Sequence, residues 1–93
     1  MTVLIVSKVP KSLRGRLSRW MMQLRPGVFV GTLSQRVREL LWQRTCASLR
    51  GGWALILVPA QTEQGFELRM HGTAPFAIED FDGLQLVIRR ILP

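Results

Sequence analysis

Five cations stand close together near the start of the chain: Lys8, Lys11, Arg14, Arg16 and Arg19. No Asp or Glu lies between Met1 and Gln35 to neutralise them. An arginine offers a planar fork of donors that matches the oxygens of a phosphate. Such contacts grip a nucleic-acid backbone and carry little sequence information. A solvated charged face is the ordinary reading of a basic run, and the missing acids set this one apart.

Other chemistry has thinner support. The group Glu79, Asp80 and Asp82 offers hard oxygen ligands for a divalent cation. Carboxylates beside a glycine, here Gly83, also serve as turn and capping residues. His71 is the single histidine and falls in a strand-like stretch, where it reads as a core or surface residue before it reads as a base. Cys46, the single cysteine, reads as a packed small residue in a helix before it reads as a nucleophile. There is no glycine-rich phosphate loop and no nucleophile elbow.

The bulk numbers agree with a phosphate partner. The 93 residues hold 13 Lys+Arg against 6 Asp+Glu, a net charge of +7. Residues 1–50 carry +9 and residues 51–93 carry −2. A one-sided basic surface on a small domain points to nucleic acid. An anionic membrane is a poorer fit, because no helix joins a strong apolar face to a lysine-rich one. One cysteine excludes an intrachain disulfide, and with one histidine it excludes the usual zinc site. No apolar run reaches the ~18 residues of a membrane span. Met1 to Val6 is too short for a signal-peptide core, so a cytoplasmic location is expected.

The elements that position these residues follow from pattern. Thr2–Ser7 is a continuous apolar run suited to a central strand covered on both faces. Pro10 ends it, and a helix starts near Lys11 or Ser12, with Ser12 as the expected N-cap. That helix is expected to run to about Arg25, where Pro26-Gly27 stops it. Leu13, Leu17, Trp20, Met21 and Leu24 make its apolar arc. Arg14 and Arg25 flank one edge of the arc, and Arg16 and Arg19 lie beyond the other. Gly15 inside the helix is either a surface residue or a place where something passes close to the backbone.

Val28–Val30 reads as a short strand. Thr32 or Ser34 then caps a second helix over Ser34–Leu49, closed by Gly51-Gly52. Val37, Leu40, Leu41, Ala47 and Ser48 make one side of this helix, and Trp42, Cys46 and Leu49 make a second apolar strip on another side. Burial in the same chain or against another subunit would cover the second. Trp53–Val58 and Phe66–His71 pair as a hairpin across a polar turn. Gly72–Gly83 is expected to be a loop, and Leu84–Ile91 a last strand or tail. The whole is one α+β domain over residues 1–93, with two helices on one face of a mostly antiparallel sheet.

Three blocks resemble a known family. They are Lys-Val-Pro-x-x-Leu-Arg-Gly-Arg-Leu-x-x-Trp (Lys8–Trp20), Pro-Gly-Val-Phe-Val-Gly (Pro26–Gly31) and Ser-x-x-Val-Arg-Glu-Leu-Leu-Trp (Ser34–Trp42). With Thr62-Glu-x-Gly-Phe-Glu67 and Asp82-Gly-Leu84, they resemble the small CRISPR-associated adaptation protein "Cas-two" in its type I-E form. The resemblance implies a ferredoxin-like domain with an extra C-terminal strand, working as a homodimer. It implies a place between two dimers of the "Cas-one" integrase, holding a double-stranded prespacer for insertion into CRISPR array DNA. By that likeness Arg14 is the first candidate for DNA contact and Arg16 the next. Arg19, Lys8 and Lys11 complete the set. The segment with Leu84, Leu86, Val87, Ile88 and Ile91 is the candidate docking strand for the integrase.

Two departures bear on mechanism. Relatives are named as metal-dependent nucleases because an acid ends the first strand, in a Glu-Asn-Val-Pro pattern. Here the pattern is Ser7-Lys8-Val9-Pro10, and Lys8 repels a divalent cation. Relatives also carry arginines before the Asp-Gly turn, where this chain has Ala74-Pro75-Phe76. A scaffold without a cofactor is therefore the leading expectation. The alternative is a Mg2+-dependent phosphodiesterase using Asp80 and Asp82, and a toxin-like RNA nuclease rests on fold analogy alone.

Overall fold

The computed structural model describes residues 1–89. Its first strand, β1 (Thr2–Val6), is the centre of a five-stranded sheet. After it come α1 (Lys11–Ser18), β2 (Met22–Arg25), β3 (Val28–Gly31), α2 (Gln35–Ala47), β4 (Trp53–Pro59) and β5 (Phe66–Gly72). A hairpin of β6 (Phe76–Phe81) and β7 (Leu84–Arg89) ends the described chain. The sheet order is β2-β3-β1-β4-β5, and every neighbouring pair is antiparallel. This is the expected α+β architecture, with two helices and a C-terminal addition.

Register explains why β1 reads as unbroken apolar sequence. Residues directly opposite one another in a sheet share a face. Leu4 lies opposite Phe29 and Ile56, and all three are buried in one cluster with Leu13 and Leu17 of α1 and Leu41 of α2. Val3 lies opposite Val30 and Leu57 on the other face, which the helices do not cover. Those three stay half-buried. Each Leu or Phe fully buried on the helix side stabilises the fold by about 1.5–3 kcal/mol.

The first helix is shorter than its spacing predicts. It ends at Ser18, and Met22–Arg25 is an edge strand paired with β3. The main chain tightens as it leaves, with Trp20 N and Met21 N both donating to Leu17 O, at 3.1 and 2.8 Å. Pro26 and Gly27 do not simply stop a helix. They turn a hairpin, with Gly27 at φ +81°, the residue order of a type II turn. Pairing with β3 outweighs helical spacing here. Leu13, Leu17 and Met21 remain buried, but Trp20 and Leu24 are 55% and 57% exposed and leave the expected core arc. Ser12 is not the cap either. Pro10 holds that position with no side-chain bond, and its carbonyl accepts from Arg14 N at 3.0 Å.

The second helix follows expectation more closely. Ser34 Oγ accepts from Val37 N at 3.3 Å as the N-cap. Leu41 and Thr45 are buried, and Val37, Trp42 and Leu49 pack against the same core. The chain itself therefore covers most of the second strip.

The expected loop over 72–83 is a second correction. Phe76–Phe81 is a strand, paired with β7 from Phe76↔Arg89 to Phe81↔Leu84. The hairpin is joined to the edge strand β5 through two glutamines. Leu68 N donates to Gln85 Oε1 at 2.7 Å, and Gln85 Nε2 donates to Leu68 O at 3.2 Å. Gln85 N donates to Gln64 Oε1 at 2.7 Å, and Gln64 Nε2 donates to Gln85 O at 2.9 Å. Trp53 and Phe76 meet edge to face, with ring centroids 4.9 Å apart. Among the described residues, no helix is long and apolar enough to cross a membrane.

Candidate nucleic-acid interface

The basic cluster is split by the helix that carries most of it. On one side, Arg14 faces a cleft of about 530 Å³. The cleft is walled by the end of β1 (Val6, Ser7), by Val9, and by the β2–β3 turn from Gln23 to Gly27. Arg25 joins Arg14 in this lining because β2 is a strand whose turn into β3 sits at the end of β1, with Val6 N donating to Gly27 O at 2.8 Å. On the other side, Arg16 and Arg19 line a smaller groove with Arg44 of α2. Lys8 and Lys11 are exposed and line neither hollow.

All five predicted cations are exposed. The ion pairs among the described residues are Arg69–Glu39 at 2.7 Å and Arg69–Glu67 at 3.5 Å. Arg69 is held in its charged form, first by its hydrogen bond to Glu39 and then by the attraction of both carboxylates. Glu39 of α2 and Glu67 of β5 are thus engaged by Arg69, and the cations of α1 make no internal pair among the described residues. Two functional candidates escaped the sequence reading. Helical spacing puts Arg25 on a helix that in fact ends at Ser18, and nothing in the sequence pattern sets Arg44 apart. The alternation Met22-x-Leu24 before Pro26-Gly27 was the available signal for a hairpin strand.

The end of β1 does not offer the free oxygen ligands that a divalent cation needs. Ser7 Oγ accepts from Trp53 N at 2.8 Å, and Ser7 N donates to Trp53 O at 2.9 Å. The hydroxyl is committed to holding the start of β4, and the neighbouring side chain is an ammonium. Asp80 Oδ1 accepts from Gly83 N at 2.9 Å, so Asp80 caps the hairpin turn. Asp82 sits in that turn at φ +53°. No three His, Cys, Asp or Glu side chains among the described residues form a group able to hold a metal ion. This chain's own residues do not fit a divalent cation at either place.

The remaining candidates have ordinary roles. His71 is exposed near the end of β5, opposite Ala54. Cys46 is half-buried, and burial pushes its thiol up, which makes it a poorer nucleophile. Ala74 is buried and Phe76 packs on Trp53, so the segment Ala74-Pro75-Phe76 serves hairpin packing. Of the docking candidates, Leu84 is half-buried, while Leu86, Val87 and Ile88 are exposed. Ile91 lies outside the described residues. One family model, described as "CRISPR-associated protein (Cas_Cas2CT1978)", matches residues 1–86.

Proposed function

The chain belongs to the type I-E form of the CRISPR-associated Cas2 family, and we propose that within this machinery it is a non-catalytic, dimeric scaffold that holds prespacer duplex DNA between two dimers of the Cas-one integrase. One observation carries the reading: Arg14 and Arg25 face a common cleft, exposed and without an internal acid. It lies beside a strand end whose hydroxyl is already used in the fold. Guanidinium groups placed this way neutralise phosphates and hold a duplex in register. The integrase supplies the strand-transfer chemistry, and this subunit supplies length and position.

The half-buried apolar face of Val3, Val30 and Leu57 supports a homodimer, because a second copy would cover it. The exposed Leu86, Val87 and Ile88 support the hairpin as the integrase contact. No metal-assisted step is assigned to this chain, because its residues at the end of β1 do not fit the ion.

Duplex retention by the assembled complex tests the reading. Two phosphate contacts per protomer, through Arg14 and Arg16, make four in the dimer and give a log–log salt slope of about −3.6 from the dimer. Changing Arg14→Glu and Arg16→Glu together should remove that slope and abolish retention while the circular dichroism spectrum stays unchanged. Full retention by the double variant would overturn the assignment. Co-purification with the integrase, with and without residues 84–93, tests the docking role. A complex that survives the deletion places the contact elsewhere.

A further inference from the structure

Across α1 from the Arg14 cleft lies a groove of different make. It measures about 100 Å³ and is lined by Arg16, Arg19, Trp20, Leu40, Leu41 and Arg44. Leu41 is buried, whereas Leu40 is 53% exposed and Trp20 is 55% exposed. Three guanidinium groups share the lining, and none enters an ion pair found among the described residues.

Holding a duplex gives no use to this apolar pair. Phosphates take cations, and a leucine in water gains nothing from them. A nucleic-acid single strand would stack a base on Trp20, but its backbone is followed by cations along a track. Here the cations come from both walls, α1 and α2, beside an apolar centre. Protein interfaces are built that way, with an aromatic or aliphatic anchor point, arginine enrichment and a polar rim. The rim is wholly cationic, so complementarity requires carboxylates on the other side. The hollow has about a fifth the volume of the Arg14 cleft, which suits one inserted side chain.

We propose that the groove between α1 and α2 docks an acidic segment of a partner protein, which sets one large apolar side chain against Trp20 and Leu40 and its flanking carboxylates against Arg16, Arg19 and Arg44. Arg16 is shared with the proposed duplex surface, so the test rests on Trp20, Leu40 and Arg44, which have no part in that surface.

The test uses four fluorescein-labelled probes against the full chain at low salt. They are a Glu/Gly dodecapeptide with one central Leu, the same peptide with Gly for Leu, its Lys/Gly counterpart with the Leu, and a twelve-nucleotide oligothymidylate. The Leu-bearing acidic peptide should bind and shift tryptophan emission to the blue. Removing the Leu, or introducing Trp20→Ala or Arg44→Glu, should each weaken binding about thirtyfold, the size of an interface hot spot. The lysine peptide should not bind. Trp20→Ala and Leu40→Ser should leave duplex retention and the melting temperature unchanged, because both side chains are exposed. Equal binding of the acidic peptides with and without Leu would overturn the proposal in favour of bare charge attraction. Displacement of the peptide by oligothymidylate, with loss of Trp20 emission, would overturn it in favour of single-stranded nucleic acid. Self-association that Arg44→Glu abolishes and the peptide leaves untouched would make a second copy the occupant. Failure of every probe to bind would also overturn it.

Discussion

Replacing Gln85 by alanine should loosen the hairpin from the sheet by about 2 kcal/mol. The side chain makes two hydrogen bonds to the edge of β5, at 2.7 Å from Leu68 N and 3.2 Å to Leu68 O. Each contributes about 1 kcal/mol net when the freed groups regain some water. Part-burial keeps Leu68 from full hydration, which holds the estimate near that sum. Gln85→Glu keeps the acceptor for Leu68 N but turns an oxygen toward Leu68 O, so it should cost at least as much. Gln64→Ala removes the two bonds to the main chain of Gln85 and should cost a similar amount. Both side chains hold one joint, so the double variant should lose less than the two singles added. Amide hydrogen exchange reads the effect directly, with about thirtyfold faster exchange at Leu68 and along β7 in Gln85→Ala. If the hairpin unfolds together with the domain, the melting temperature should fall by roughly 8–16 °C. Unchanged protection of Leu68, with a stability loss under about 0.5 kcal/mol, would refute the reasoning.

The other predictions concern single positions. Gly27→Ala should destabilise by at least about 2 kcal/mol in a denaturant titration, because φ is +81° and the new methyl would press on the Val6 carbonyl oxygen. Gly15→Ala should stabilise by about 0.5–1 kcal/mol, since nothing beyond its chain neighbours and its own helix backbone lies within 4 Å of the added carbon. A simultaneous drop in duplex affinity would show that a phosphate backbone passes close to Gly15. Ser7→Ala should cost about 1 kcal/mol through the lost acceptor for Trp53 N. Added Mg2+ or Mn2+ should leave the melting temperature of the unsubstituted chain unchanged, and a metal-dependent rise would contradict the ligand argument at the end of β1. Cys46 has a raised thiol pKa, so at a given pH near 8 it holds less thiolate than the unfolded chain does. Alkylation by iodoacetamide should accordingly be slower in the native protein.

Much of this fold was legible because its elements have clean periods. The unbroken apolar run of β1 announced a strand with two apolar faces, and Ser34 before Val37 announced a capped helix. The error over 19–25 has a physical source. Leu17, Met21 and Leu24 keep helical spacing, yet pairing with β3 is a long-range gain that no local window contains. The strand Phe76–Phe81 was missed for a related reason. Its acids, Glu79 and Asp80, are poor strand formers, and β7 together with Gln85 supplies what they lack. The basic surface was half legible. Sequence shows how many arginines there are and that acids are missing nearby. It does not show that an eight-residue helix divides them, with Arg14 on one side and Arg16 and Arg19 on the other.

The glutamine joint has a consequence for how copies of this chain relate. Its four hydrogen bonds run between main-chain groups and two amide side chains that every copy carries in the same form. The bonds are therefore indifferent to origin, and a hairpin seated on a neighbour's sheet would make the same set. What favours the home position is the short connector Thr73–Pro75, which keeps the hairpin's local concentration high. Exchange between copies would thus be governed by that connector and by protein concentration, with little change in bond enthalpy.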